Sequence, residues 1–122
     1  MSADYIPTED EEQEMLFEWA SMMLGKYPEL ESMYAIPNGG LRSKATAARM
    51  KRTGTKAGIP DICLPCSRHG CNALYIEMKR IRGGRLSPAQ CTMIEKLTHQ
   101  GNRCAVCHGF DEAQKEILDY LG

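Results

Sequence analysis

Apolar positions along the 122-residue chain change period several times, and the changes mark out its elements. Met15, Leu16, Trp19, Ala20 and Met23 recur at helical spacing, which predicts an amphipathic helix ending near Leu24. Thr8-Glu9-Asp10-Glu11 supplies a capping box at its start, with Pro7 just before it, and Gly25 is a natural stop. "SMYAIP" (32–37) reads as a short strand closed by Pro37 and the turn "NGG". Residues 42–56 are basic with small residues between, which predicts a short helix or a mobile loop. "DICLP" (61–65) and "ALYIEMK" (73–79) read as strands joined by a hairpin loop, "SRHGCN".

Ser87-Pro88-Ala89-Gln90 opens the next helix, with Ser as N-cap, Pro at the first helical position and Gln three residues after the cap. Ile94 and Leu97 continue it, and Gly101 ends it. "RCAVCH" (103–108) reads as a strand, and "DEAQKEILDYL" (111–121) as a closing amphipathic helix with Ala113, Ile117, Leu118 and Leu121 inward. The order α-β-(α)-β-β-α-β-α predicts an α/β fold, a sheet covered on its faces by helices. The length suits one domain over residues 1–122, and no repeat or low-complexity tract interrupts it.

A net charge of -1 conceals strong segregation. Residues 1–31 hold nine acids and one Lys, whereas residues 32–60 hold no acid and six bases. A second basic cluster follows at Lys79, Arg80, Arg82 and Arg85. Such blocks suit a surface that meets a polyanion, although a solvated basic face would read the same way. The acidic N-terminus lacks the apolar run of a signal peptide, and no segment approaches membrane-spanning length. Six cysteines without an export signal indicate a reducing compartment and free thiols.

Three charged residues interrupt the two central strands. Asp61 opens the first, and Glu77 and Lys79 close the second. In an antiparallel hairpin, the start of one strand lies beside the end of the other, so Asp61 and Glu77 meet at one edge of the sheet. Adjacent carboxylates repel unless a proton or a cation sits between them. An oxygen-donor pair suits Mg²⁺ or Mn²⁺. Lys79, two residues from Glu77, points to the same face, where an ammonium can act on an attacking water or a phosphate oxygen. The combination describes metal-assisted phosphodiester hydrolysis. A Glu-x-Lys pair alone is more often an ordinary strand-end ion pair; its conjunction with Pro60-Asp61 and basic flanks favours the chemistry.

The cysteines offer rival readings. "CAVCH" (104–108) has the spacing of a c-type haem attachment site, but the segment reads as a buried strand and no export signal accompanies it. Cys63-x-x-Cys66 and Cys104-x-x-Cys107, with Cys71 and His108, could make a zinc site. Against zinc, cysteines three apart on a strand face opposite sides.

"GTKAGIPD", then "IEMK" fifteen residues later, resembles the Pro-Asp…Glu-x-Lys motif of the PD-(D/E)XK nuclease superfamily. With an acidic first helix, "AIPNGG" and "GRLSPAQ" in the same order, the chain is similar to one branch, the virus-type replication-repair nuclease (VRR-NUC) domain, from about residue 9 onward. The resemblance implies a restriction-endonuclease-like core, a mixed central sheet flanked by helices. It implies metal ligation by Asp61, Glu77, the Met78 carbonyl and an early-helix Glu. Glu9, Glu11, Glu12 and Glu14 are the candidates for that Glu; the helical stripe favours Glu12, with Glu9 second. Lys79 would be the catalytic lysine, and Gln90 would order the site unless it only completes the cap with Ser87. Asn38, Arg42, Arg49, Lys51, Arg52, Lys56, Arg82 and Arg85 would bind DNA backbone, since no base-reading element is visible. The expected activity is a Mg²⁺- or Mn²⁺-dependent endonuclease on branched DNA, foremost a homodimeric Holliday-junction resolvase in the cytoplasm of a bacterial or phage-infected cell. A chain this short would obtain two cutting sites by dimerising. A flap nuclease and a silent DNA-binding module are the alternatives.

Overall fold

The computed structural model describes residues 5–37 and 43–122. Helix α1 (Glu9–Met22) begins with the predicted capping box: Thr8 accepts from the Glu11 N–H, and Glu11 accepts from the Thr8 N–H. A 3₁₀ turn (Pro28–Ser32) follows and takes Ser32, the first residue of the expected strand. Strand β1 is therefore only Tyr34–Ala35. Of the short helix or mobile loop expected over residues 42–56, the structure has the helix, α2 (Lys44–Arg52), capped by Ser43. Strands β2 (Ile62–Leu64) and β3 (Leu74–Lys79) form the expected hairpin. Helix α3 (Pro88–His99), strand β4 (Arg103–His108) and helix α4 (Phe110–Leu121) complete the order.

The four strands lie in the order β1-β2-β3-β4. The first two pairings are antiparallel, and β3 pairs parallel with β4 through the α3 crossover. The sheet is thus mixed. One face carries Ile62, Leu64, Leu74, Ile76 and Met78, all fully buried against Leu16 and Ala20 of α1 and Ala113, Ile117 and Tyr120 of α4. Each such side chain contributes about 1.5–3 kcal/mol on leaving water, which makes this layer the main source of stability.

The buried stripe of α1 is narrower than its apolar pattern. Glu12, Leu16 and Ala20 are buried in one row of fourth residues, while Met15 is 45% exposed. A helix wedged against one neighbouring helix and the sheet buries little more than one such row. On α4 the inward set is Ala113, Ile117 and Tyr120, with Leu118 and Leu121 half-buried. Tyr120 can be buried because its hydroxyl donates to the Cys66 carbonyl at 2.5 Å.

Candidate active site

The opposite face of the sheet carries the polar row. Ile62 pairs with Ile76, so Asp61, just before β2, falls beside Glu77 of β3. The Asp61 carboxylate accepts from the Met78 backbone N–H at 2.7 Å, which fixes it at the point where the hairpin ladder ends. Glu77 is 2% exposed and Lys79 is 7% exposed on that same face. Their charged ends are 3.8 Å apart.

Gln90, at the start of α3, joins the group through both ends of its amide. Its Oε1 accepts from the Ser87 N–H at 2.8 Å and from Lys79 Nζ at 3.1 Å. Its Nε2 donates to Glu77 Oε2 at 3.2 Å. The capping role and the site role therefore coexist, because a carbonyl oxygen has two lone pairs and the nitrogen is still free to donate. One side chain ties the helix start to both β3 residues.

Two glycines let this happen. Gly58 has φ +78, and a Cβ there would lie 2.3 Å from the Ala89 carbonyl oxygen and 2.8 Å from the Gln90 nitrogen. The segment leading into Pro60-Asp61 thus lies directly on the start of α3, an approach closed to any other residue. Gly84 packs on Lys79, where a Cβ would sit 2.9 Å from the lysine Cβ. In the sequence Gly58 figures only as a letter of a motif; its contact depends on a segment some thirty residues away.

Burial, the touching Asp61 carboxyl and its charge push the Glu77 carboxyl up to about 8, against the pull of Lys79 and with a further push from Glu9. Glu77 Oε1 is buried and receives no hydrogen bond. An orphaned carboxylate oxygen beside a second carboxylate is the arrangement a hard divalent cation relieves, by neutralising the repulsion and supplying the missing partner. The residues present fit such an ion. Among the described residues no ready-made cluster of three His, Cys, Asp or Glu side chains exists, so water, backbone oxygen or substrate would complete the coordination.

Glu12, the favoured first-helix acid, makes a contact that the sequence did not show. Glu12 is 4% exposed, as its stripe predicted, but its Oε2 accepts from the Phe110 N–H at 2.6 Å and caps the start of α4. It answers the dipole of a neighbouring helix. Glu9, one turn earlier, is the first-helix acid whose charge reaches Glu77. Periodicity identified which acid is buried but not against which element.

Arg49, Lys51, Arg52 and Lys56 are exposed on α2 and the segment after it, and Arg82 and Arg85 are exposed on the loop between Lys79 and Ser87. Basic side chains therefore stand on segments leading to both sides of the acidic pair. Asn38 and Arg42 lie outside the described residues. All six cysteines are free thiols. Cys104 and Cys107 do face opposite sides of β4: Cys107 joins the core, and Cys104 donates to the Ile94 carbonyl of α3 at 3.8 Å.

The VRR-NUC domain family model matches residues 8–111. A solved structure described as a VRR-NUC domain protein superposes with a TM-score of 0.82 at 30% identity, over 96% of this chain and 90% of that one. Among curated proteins nothing matches. Asp61, Glu77 and Lys79 stand in the order of the Pro-Asp…Glu-x-Lys motif, in a fold shared with a VRR-NUC protein over nearly the whole chain, and the chain belongs to the VRR-NUC domain family, a nuclease of the PD-(D/E)XK type.

Proposed function

We propose that the chain is a Mg²⁺- or Mn²⁺-dependent endonuclease that cuts branched DNA, foremost four-way junctions, as a homodimer. Nucleases of this type generally use divalent metal ions. The observation that carries the reading is the buried, unpartnered Glu77 Oε1 beside Asp61, with Lys79 held 3.1 Å from Gln90. Asp61, Glu77 and the Met78 carbonyl would hold the metal, with Glu9 replacing Glu12 as the first-helix acid. The metal, when bound, supplies charge neutralisation at the phosphate and lowers the pKa of a water at the site.

The remaining work falls to the chain. Gln90 orients Lys79, and the lysine ammonium can hold a water for in-line attack or meet charge on a non-bridging phosphate oxygen. Burial of Glu77 and Lys79 strengthens both effects. Arg49, Lys51, Arg52, Lys56, Arg82 and Arg85, with Asn38 and Arg42, position the DNA through its phosphates. Phosphate contacts without a base-reading element favour recognition of DNA shape. A groove of about 680 Å³ along α3, lined by Leu86, Cys91 and Ile94, offers a face for a second copy. Such an enzyme would work in the cytoplasm of a bacterial or phage-infected cell, where free thiols persist. The domain would comprise residues 1–122.

The test is cleavage of labelled four-way junction, flap and linear duplex DNA with Mg²⁺, Mn²⁺ or EDTA, with Lys79→Ala alongside. Paired symmetric nicks that need metal and Lys79 are expected. Flap cleavage alone would keep the chemistry and discard the resolvase. Tight binding without cutting under either metal would leave a DNA-binding module.

A further inference from the structure

A groove of about 420 Å³ adjoins the catalytic row. Tyr34, Ile36, Pro37, Lys56, Ile59 and Tyr75 are among the residues lining it. Its place follows from the sheet register. Tyr34 pairs with Cys63, and Cys63 with Tyr75, so two phenols flank one thiol in a single row. Tyr75 precedes Glu77 by two residues and shares its face, so this row lies about 7 Å from the row of Asp61 and Glu77. The groove therefore lies one row along the sheet from the site.

The lining says what it can hold. Ile36, Pro37 and Ile59 are apolar, the two rings are aromatic, and Lys56 brings the charge. Tyr34 is 49% exposed and Tyr75 half-buried, so ring surface is open to a ligand. Hydrogen bonding to Cys63 pushes the Tyr34 hydroxyl up to about 12, and burial pushes that of Tyr75 upward, so both present neutral rings. Aromatic faces beside a cation match one nucleotide, with the base on the rings and the phosphate on the ammonium. Paired bases in a duplex are already stacked, so only an unpaired base can enter.

We propose that this groove is a stacking subsite for an unpaired DNA nucleotide next to the scissile phosphate, with Lys56 on that nucleotide's phosphate. The proposal rests on the nuclease reading of Asp61, Glu77 and Lys79. It gives the enzyme a sequence-tolerant way to prefer branch points, where bases are unpaired, over continuous duplex. Stacking tolerates any base because every base has a π face.

The test pairs binding with kinetics. A branched DNA carrying 2-aminopurine beside the branch point is titrated with the protein in EDTA, where the probe reports stacking without cleavage. Cleavage of branched and linear DNA is then compared in Mg²⁺ or Mn²⁺. Wild type is expected to quench the probe. Tyr34→Ala and Tyr75→Ala should lose the quench and lower the branched-to-linear preference about tenfold, chiefly through KM, while the Phe variants restore both. Lys56→Gln, at an exposed position, should weaken binding and reduce the salt slope by about 1. Quench and preference that survive both Ala variants would overturn the proposal, as would Phe variants that behave like Ala. Conversion of a dimer to a monomer by Tyr34→Ala, with the quench intact, would also overturn it and make the groove a contact between copies. The nuclease reading fails separately, if wild type cuts no DNA with either metal while the probe still reads the groove.

Discussion

Replacing Glu77 by Gln should make the metal-free protein more stable. Glu77 is 2% exposed, its Oε1 lacks a partner, and its carboxyl is raised from 4.5 to about 8. Between those values the folded protein holds a proton that the unfolded chain has released. Glu77's favourable contribution is therefore fully present below about pH 4.5, fades as pH rises, and is gone above about 8. A displacement of roughly 3.5 pH units at about 1.4 kcal/mol each sets a ceiling near 5 kcal/mol. That ceiling already includes the pull of Lys79, and partial solvation and relaxation of the buried pair reduce it to about 2–4 kcal/mol. Gln also keeps the acceptor for Gln90 and gains an N–H for Asp61. Urea unfolding followed by Trp19 fluorescence, in EDTA from pH 5 to 9, reads the difference. It should be near zero at pH 5 and greatest above pH 8, equivalent there to a gain in Tm of about 10 °C. Mg²⁺ or Mn²⁺ should then stabilise wild type and leave Glu77→Gln unmoved. A variant less stable than wild type at pH 9, or a gap that ignores pH, would refute the view that Glu77 is a burdened acid waiting for a cation.

Lys79→Ala should cut cleavage by about 10²- to 10³-fold while DNA binding, read by anisotropy, changes little. Gly58→Ala forces a Cβ to 2.3 Å from the Ala89 oxygen at a φ of +78, so it should lose about 2–3 kcal/mol in urea unfolding and most activity as Gln90 is displaced. Glu12→Ala should lower stability by about 1–2 kcal/mol through the uncapped α4, whereas Glu9→Ala should spare stability and reduce metal-dependent cleavage; the opposite pattern would return the metal role to Glu12. Tyr120→Phe should lower stability by about 1 kcal/mol through the bond lost to Cys66.

The chain by itself determined what depends on near neighbours. Capping boxes at Thr8 and Ser87, the hairpin of β2 and β3, and the closing helix were all legible, because caps, turns and periodicity act over a few residues. That hairpin also fixed the meeting of Asp61 with Glu77, since antiparallel register follows from the two strands alone. Only the tertiary structure decided the rest. It assigned Glu12 to the start of α4 and put the charge of Glu9 within reach of Glu77, because a helical stripe shows that a residue is buried and not what buries it. Contact between Gly58 and α3, and the double duty of Gln90, bring together segments that no local rule relates. Tyr34 joined the row of Tyr75 in the same way, through the pairing of β1 with β2, two strands nearly thirty residues apart whose register no local rule supplies.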